Sequence, residues 1–254
     1  MIKVKTLIGL GGFLFLAGSI NGQQAKDFGA AVGTTNFQDF SSMQMRESLV
    51  NAIMNNSKKP QAEEALVGVQ GSPYYEEQFN RGNLFYKNEA LGAFYLRYNA
   101  FQDQLEIKKS NLKEENYQFL LQSDEIKSVV DGRELQYLKY LNEDGSSGNH
   151  YLYKEFAGTS YTLYSKKDKK YIPGRQSSNS LAQSIPDKFV DQKELLYATA
   201  GDQQIRTIPK STKRLLQIFA EDKRKTIKEF IRKNRLRSSN TEDLVQIFIY
   251  ADTL

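Results

Sequence analysis

The chain has 254 residues, 35 Lys and Arg against 30 Asp and Glu, and a formal net charge of +5. That length suits one substantial domain with an appendage and leaves little room for two. The absence of cysteine excludes disulfides, thiolate nucleophiles, thiolate metal sites and a lipid anchor on an N-terminal cysteine, so stability rests on the packing of a body with 15 Tyr and 15 Phe.

The charge is unevenly spread. From Lys210 to Arg237 there are eleven basic and three acidic residues, a local balance of +8, so the rest of the chain carries −3. It carries −5 once Lys3 and Lys5 are set aside as part of a leader. The basic character therefore belongs to one C-terminal element, and the larger body is mildly acidic.

Residues 1–22 read as a secretory signal: Lys3 and Lys5 precede an uncharged apolar run, Leu7 to Ile20, followed by the polar tail Ser19, Asn21, Gln23 and Gln24. The run is shorter than the roughly 20 residues that span a bilayer, which favours cleavage after Gly22 or Ala25 over an uncleaved anchor. The expected destination is the periplasm or the exterior. Residues 23–60 then form a flexible segment and a short helix. In that helix, over Ser41 to Asn55, Leu49, Val50, Ile53 and Met54 share one face, Ser41 or Ser42 caps the start, and Lys58-Lys59-Pro60 resets the chain.

Residues 61–208 predict a β-rich domain. Strands are expected at Ala65–Gln70, Leu84–Tyr86, Ala93–Tyr98, Gln104–Lys108, Tyr117–Leu121, Leu135–Leu141, Tyr151–Phe156, Tyr161–Ser165, Lys188–Val190, Leu195–Ala198 and Gln204–Ile208. Phe94, Leu96 and Tyr98 fall on one face of the third, and Leu105 and Ile107 alternate with Glu106 and Lys108 in the fourth. Turn formers separate the strands at Asp131-Gly132, Asp144-Gly145, Ala157-Gly158 and Gly201-Asp202. Short strands at this spacing, without alternating long helices, predict antiparallel pairing as a meander, a sandwich or a partly closed barrel. Lys166–Lys170 reads as a charged tip and Gly174–Ser184 as a polar loop.

From 209 to 254 the period changes to that of a helix. Leu215, Leu216 and Phe219 form one apolar face, Ile227, Phe230 and Ile231 a second, and Leu244, Val245, Ile247 and Phe248 a third. Two or three short basic helices are expected, the last capped by Asn240 or Ser239 with Glu242 and Asp243 in its first turn. The class is thus α+β, mostly antiparallel β with a short helix before it and short helices after it.

Three stretches resemble a group of secreted proteins of Gram-negative bacteria that has no assigned activity: GSPYY at Gly71–Tyr75, LRYNAFQDQLEIK at Leu96–Lys108 and IKEFIRKNRLRSSNTEDLVQIF at Ile227–Phe248. The resemblance implies a shared fold and export over about Leu66 to the C-terminus, and it carries no catalytic residue.

The residues point away from several chemistries. His150 is the single histidine, too few for a histidine-based metal cluster, and it reads as a partly exposed residue of the polar turn Asp144–His150. The signatures GxSxG, HExxH and GxxxxGK[ST] do not occur, and Asn142–Gly145 lacks the spacing of a calcium loop. Acid pairs such as Glu63-Glu64, Glu76-Glu77, Glu114-Glu115 and Asp124-Glu125 read as solvated turn residues, because paired catalytic acids are usually distant in sequence. No cofactor or metal is expected. The candidate ligand or partner contacts are Tyr74, Tyr75, Glu76, Arg97 and Tyr98 in the β region, with Arg97 able to stack on a ring or bind an anion. Lys223, Arg224, Lys228 and Arg232 join them from the basic helices. Those helices admit anionic lipid, nucleic acid or an acidic protein as partners; the plainer reading is a solvated face complementing the acidic β-domain, and export disfavours nucleic acid. The leading expectation is an exported envelope protein that binds or assembles without catalysis. A carrier of an apolar ligand and a carboxylate-based hydrolase follow it.

Overall fold

The structure is a computed structural model that describes residues 37–55, 68–175, 183–201 and 203–254. The leader, most of the expected strand Ala65–Gln70 and the middle of the loop Gly174–Ser184 lie outside the described residues. The fold is α+β and mostly antiparallel, as the sequence pattern predicts.

Helix α1 (Phe37–Asn55) precedes β1 (Asn80–Tyr86), β2 (Glu89–Asn99), β3 (Gln104–Lys108), β4 (Gln118–Phe119), β5 (Ile126–Val130), β6 (Arg133–Leu141), β7 (Ser147–Ala157) and β8 (Tyr161–Lys166). Then come β9 (Lys169–Ile172), β10 (Lys188–Asp191), β11 (Leu195–Ala200) and β12 (Ile205–Thr207), followed by α2 (Thr212–Leu215), α3 (Arg224–Asn234) and α4 (Thr241–Thr253). Ten strands form one sheet in the order β12-β11-β8-β7-β6-β5-β1-β2-β3-β4, while β9 and β10 pair separately.

Two tight hairpins set the register of the central strands. Lys87-Asn88 between β1 and β2, and Asp131-Gly132 between β5 and β6, all have positive φ. That is the backbone of a two-residue turn whose twist matches that of the flanking strands. The sheet closes at its other end: β12 pairs in parallel with β6 through Ile205↔Tyr140 and Arg206↔Leu141, and Thr207 Oγ1 donates to Leu141 O at 3.0 Å. Strands β6, β7, β8, β11 and β12 thus make a partly closed five-stranded barrel.

Because side chains alternate across a strand, the β6–β7 hairpin faces two interiors. Leu135, Tyr137, Tyr151 and Tyr153 face the core of the N-terminal strands, which contains Leu84, Leu96, Tyr98, Leu105, Ile107 and Ile126. Val50, Ile53 and Met54 of α1 fill this core, and Leu121 N donates to Ile53 O at 3.0 Å. On the other face, Tyr140 and Leu152 meet Tyr197 inside the barrel, the Tyr140 and Tyr197 rings 4.6 Å apart. The C-terminal helices cover the outside of β8 and β11, where Tyr161, Leu163, Leu196 and Ala198 pack against Leu215, Phe219, Ile227, Ile231, Leu244, Ile247 and Phe248. The apolar helical faces read from the sequence are this docking face. Asn240 caps α4 by accepting from Asp243 N at 2.8 Å.

The structure corrects three sequence readings. Ile126–Val130 is a strand although no separate strand is expected there, because it is short and wedged between β1 and β6. The charged tip Lys166–Lys170 is the corner at which the chain leaves the large sheet for the β9–β10 pair: Lys166 ends β8, 6% exposed, and Lys169 and Lys170 begin β9. His150 lies in a strand, opposite Leu138, since β7 starts four residues earlier than its apolar alternation shows.

Phe248 is fully buried between Tyr161 and Phe219, 6.0 and 5.2 Å from their ring centres. Phe248→Ala is expected to cost about 3–5 kcal/mol of unfolding free energy, measured by urea denaturation; a cost under about 1 kcal/mol would mean that the helices do not fold together with the barrel.

Candidate functional site

The segment after the positive-φ residue Gly71 crosses the outer face of β2 and β3, and this crossing creates the site. Glu106 alternates with Leu105 and Ile107 along β3, yet it is 0% exposed. The reason is the covering segment: Tyr74, Phe79 and Tyr117 roof the cross-strand pair Arg97↔Glu106. Arg97 Nε and Nη2 both reach Glu106 Oε2 at 2.7 Å, and Nη1 donates to Glu77 O at 3.1 Å. Tyr74 Oη and Asn99 Nδ2 donate to Glu106 Oε1 at 2.9 and 3.2 Å. The guanidinium lies 3.9 Å from the Tyr74 ring centre and 4.3 Å from that of Phe79, cation–π geometry. Arg97 thus stacks on aromatic rings, and its charge is paired with the protein's own Glu106 carboxylate.

Burial pushes the Glu106 carboxyl above its ordinary range, against the pull of Arg97, Tyr74 and Asn99. It also pushes the Tyr74 hydroxyl well up, helped by the neighbouring Glu106 charge.

Beside this network a cleft opens between the N-terminal strands and the β5–β6 turn. It is lined at its floor by Leu96, Tyr98, Leu105, Ser128 and Leu135, and at its rim by Tyr75, Glu76, Arg97, Asp131, Arg133 and Tyr153. Arg133 Nη1 donates to Glu76 Oε1 at 3.3 Å, its guanidinium 4.6 Å from the Tyr153 ring centre, and Asn80 Nδ2 donates to Glu76 Oε2 at 3.0 Å. Tyr75 Oη donates to Asp168 O at 2.9 Å, and Lys169 Nζ lies 4.3 Å from the Tyr75 ring centre. The cavity volume is about 100 Å³. That is well below the roughly 300–1,000 Å³ of small-molecule sites, so it takes one side chain or a few atoms of a larger partner.

Behind Tyr98 lies a second polar array. Asp103, held at φ +52°, accepts from Tyr98 Oη at 2.7 Å and from Tyr151 N at 3.2 Å through Oδ1. Its Oδ2 is 2.8 Å from His150 Nδ1, and His150 Nε2 is 3.4 Å from Lys166 Nζ, which also reaches Asp168 Oδ2 at 3.3 Å. An imidazole that donates from Nδ1 to Asp103 leaves Nε2 as the acceptor for the lysine. This array ties the β2–β3 turn to β7 and to the β8–β9 corner. Asp103, His150 and Lys166 do not line the cleft; they join it through Tyr98 and, by way of Asp168, through Tyr75.

The structure therefore brings together Tyr75, Glu76, Arg97 and Tyr98 around one cleft, with Tyr74 as a buried support. It places Lys223, Arg224, Lys228 and Arg232 apart from them, on and beside α3. Sequence reasoning missed Glu106, Asp131, Arg133 and Tyr153 as site residues, as well as the array of Asp103, His150 and Lys166. Glu106 had a readable signal, since opposite charges at Arg97 and Glu106 are symmetric about the hairpin turn; Asp103 and His150, 47 residues apart in the chain, had none. Among the described residues no group of three or more His, Cys, Asp or Glu is arranged to hold a metal ion, and no helix is long and apolar enough to cross a membrane. No family model, curated protein or solved structure matches the chain.

Two outcomes test this network. Arg97→Ala strands the Glu106 carboxylate and is expected to cost about 3–5 kcal/mol, read from the urea midpoint. Glu106 binds protons more readily folded than unfolded. Relative to Glu106→Gln, the wild type therefore has its full stability below the ordinary carboxylate range and loses it as pH rises through the raised folded value; a pH series of melts on both proteins reads the sign. The Tyr151 hydroxyl is buried without a hydrogen-bond partner among the described residues. Tyr151→Phe is accordingly expected to leave stability unchanged or to raise it by up to about 1–3 kcal/mol, and a loss of stability in the same melts would show that the hydroxyl is bonded.

Proposed function

We propose that the protein is an exported cell-envelope module that binds or assembles with another component through the cleft at Tyr75, Glu76, Arg97, Tyr98, Arg133 and Tyr153, without catalysing a reaction. The observation that carries this reading is the cleft itself: about 100 Å³, floored by leucines and rimmed by Tyr and Arg. Tyr and Arg anchor protein interfaces because they supply large contact area together with directed hydrogen bonds. A space of this size suits a single protruding side chain of a protein partner.

The carrier reading has less support. The interior of the N-terminal strands is filled by Leu84, Leu96, Leu105, Ile107, Leu120 and the α1 side chains, which leaves no room there for an acyl chain. The hydrolase reading rests on Glu76 and Asp131 lining the same cleft, with Glu76 engaged by Arg133 and Asn80.

A photo-crosslinking residue at Tyr75, introduced in the native envelope, is expected to capture one protein. Tyr153→Ala or Arg133→Ala is expected to weaken that partner's affinity by about thirtyfold, as for an anchor residue worth about 2 kcal/mol, measured by calorimetry with the captured partner. Turnover of an ester, glycoside, peptide or phosphate substrate that disappears in Glu76→Ala would replace the binding reading with the hydrolase one.

A further inference from the structure

Helix α3 carries charge in an arrangement that docking onto the barrel does not require. Its buried residues, Ile227 and Ile231, join the apolar cluster of the C-terminal helices, where α3 lies against α4. At 3.6 residues per turn, Arg224, Lys225, Lys228 and Arg232 fall within an arc of about 100° on the adjoining flank, and Arg235 at the C-cap continues the row, about 16 Å long at 1.5 Å per residue. Arg224 is half-buried with Nε donating to Phe219 O at 3.0 Å, while Lys225, Lys228, Arg232 and Arg235 are exposed.

These exposed cations do not serve to hold the helices on the acidic body. Among the described residues, the ion pairs of the C-terminal helices are Arg214 with Glu143 of the β6–β7 turn at 2.9 Å and Arg237 with Asp243 inside the helical element. Among the described residues, Lys225, Lys228, Arg232, Lys233 and Arg235 pair with no carboxylate. These cations share α3 and its C-cap with a single carboxylate, Glu229, so their net effect is mutual repulsion, and the plain reading of a face that complements the β-domain leaves them unexplained.

We propose that this cationic row is the docking surface for an acidic membrane face, seated on the headgroups of anionic phospholipid. Three features select that occupant. The row is straight and its heads are solvated, which suits a flat, uniformly charged layer. Among the described residues the large exposed hydrophobics of the helical element are Ile249 on α4 and the C-terminal Leu254, and none lies on α3, so the row itself lacks the apolar anchor that a protein interface buries at its centre. The apolar face of α3, Ile227 and Ile231, is already buried in the cluster of the C-terminal helices, so that face has nothing to insert into an acyl layer and the row meets it by charge, in a salt-reversible way. The imbalance of charge adds direction: the segment Lys210–Arg237 carries +8 and the rest of the chain is acidic, so the same surface that attracts α3 repels the body and fixes which end faces it. A membrane-facing α3 goes beyond the cleft reading, and shares with it only the expectation of export.

The test is co-sedimentation of the protein with phosphatidylcholine vesicles that contain or lack phosphatidylglycerol, at low and high salt. The protein is expected to pellet with the anionic vesicles at low salt, to stay soluble with pure phosphatidylcholine, and to be released at about 1 M salt, where the screening length falls to about 3 Å. Each basic residue near an anionic surface contributes about fivefold to partitioning, so Lys225→Glu/Lys228→Glu/Arg232→Glu is expected to lose about a hundredfold or more. Its melting point should match the wild type, and Lys113→Glu, at an exposed site outside the helices, should partition like the wild type. The proposal is overturned if the wild type ignores anionic vesicles at low salt, if the triple variant binds as well as the wild type, or if a soluble polyanion is bound while vesicles are not. Tyr153→Ala should retain full vesicle binding, so the failure of the cleft reading and the failure of this one are separable.

Discussion

The β6–β7 hairpin is the constraint on which the architecture depends, because both of its faces are buried and each serves a different core. Leu135, Tyr151 and Tyr153 belong to the interior that α1 fills, and Tyr140 and Leu152 belong to the barrel that β12 closes. A slip of one residue would exchange the two sets. The Asp131-Gly132 turn at one end of β6 and the parallel pairing of Ile205 and Arg206 at the other hold the register. Gly148 in β7 fits this wall for a steric reason: a Cβ there would come within 2.6 Å of the Tyr140 hydroxyl, so only glycine lets that ring lie across the strand.

The cleft follows from the same wall. Arg133 and Tyr153 stand at the outer end of the hairpin, and the covering segment brings Tyr75 and Glu76 to meet them. What keeps that segment in place is largely polar. Tyr74 reaches the buried Arg97–Glu106 pair, and Tyr75 reaches the β8–β9 corner, which Lys166 ties through His150 to Asp103. A buried ion pair adds little net stability over apolar residues of the same size, yet removing one partner is expensive, so such a pair fixes arrangement more than it adds stability. Here the arrangement it fixes is the rim of the cleft. The cationic row of α3 belongs to another part of the molecule and shares no residue with the cleft.

Several elements were legible because their signal is local. The face of α1 at Leu49, Val50, Ile53 and Met54, the strand Gln104–Lys108 and the Asn240 cap all appear where the period and turn chemistry put them. Glu106 misled because strict alternation assumes a sheet with one wet face, and a segment 30 residues upstream covers that face. His150 misled because Ser147–Asn149 look like turn residues, although β6 pairs with them along its full length. Of the candidate contacts, Tyr75, Glu76, Arg97 and Tyr98 line one cleft, and all come from the stretch between Gly71 and Lys108, whereas Arg133 and Tyr153, which line it too, carry no local signal.

From its sequence alone this chain determined its class, its antiparallel habit, the apolar faces of its helices and the segregation of positive charge into one C-terminal element. All of these are set by residues a few positions apart, within reach of backbone periodicity and turn geometry. Only the tertiary structure decided that β12 returns to close on β6, that one hairpin separates two cores, that Glu106 is buried, and that the cations of α3 point away from the acidic body. Each of these depends on groups tens of residues apart, whose approach is governed by which surfaces are left uncovered once the rest of the chain has packed.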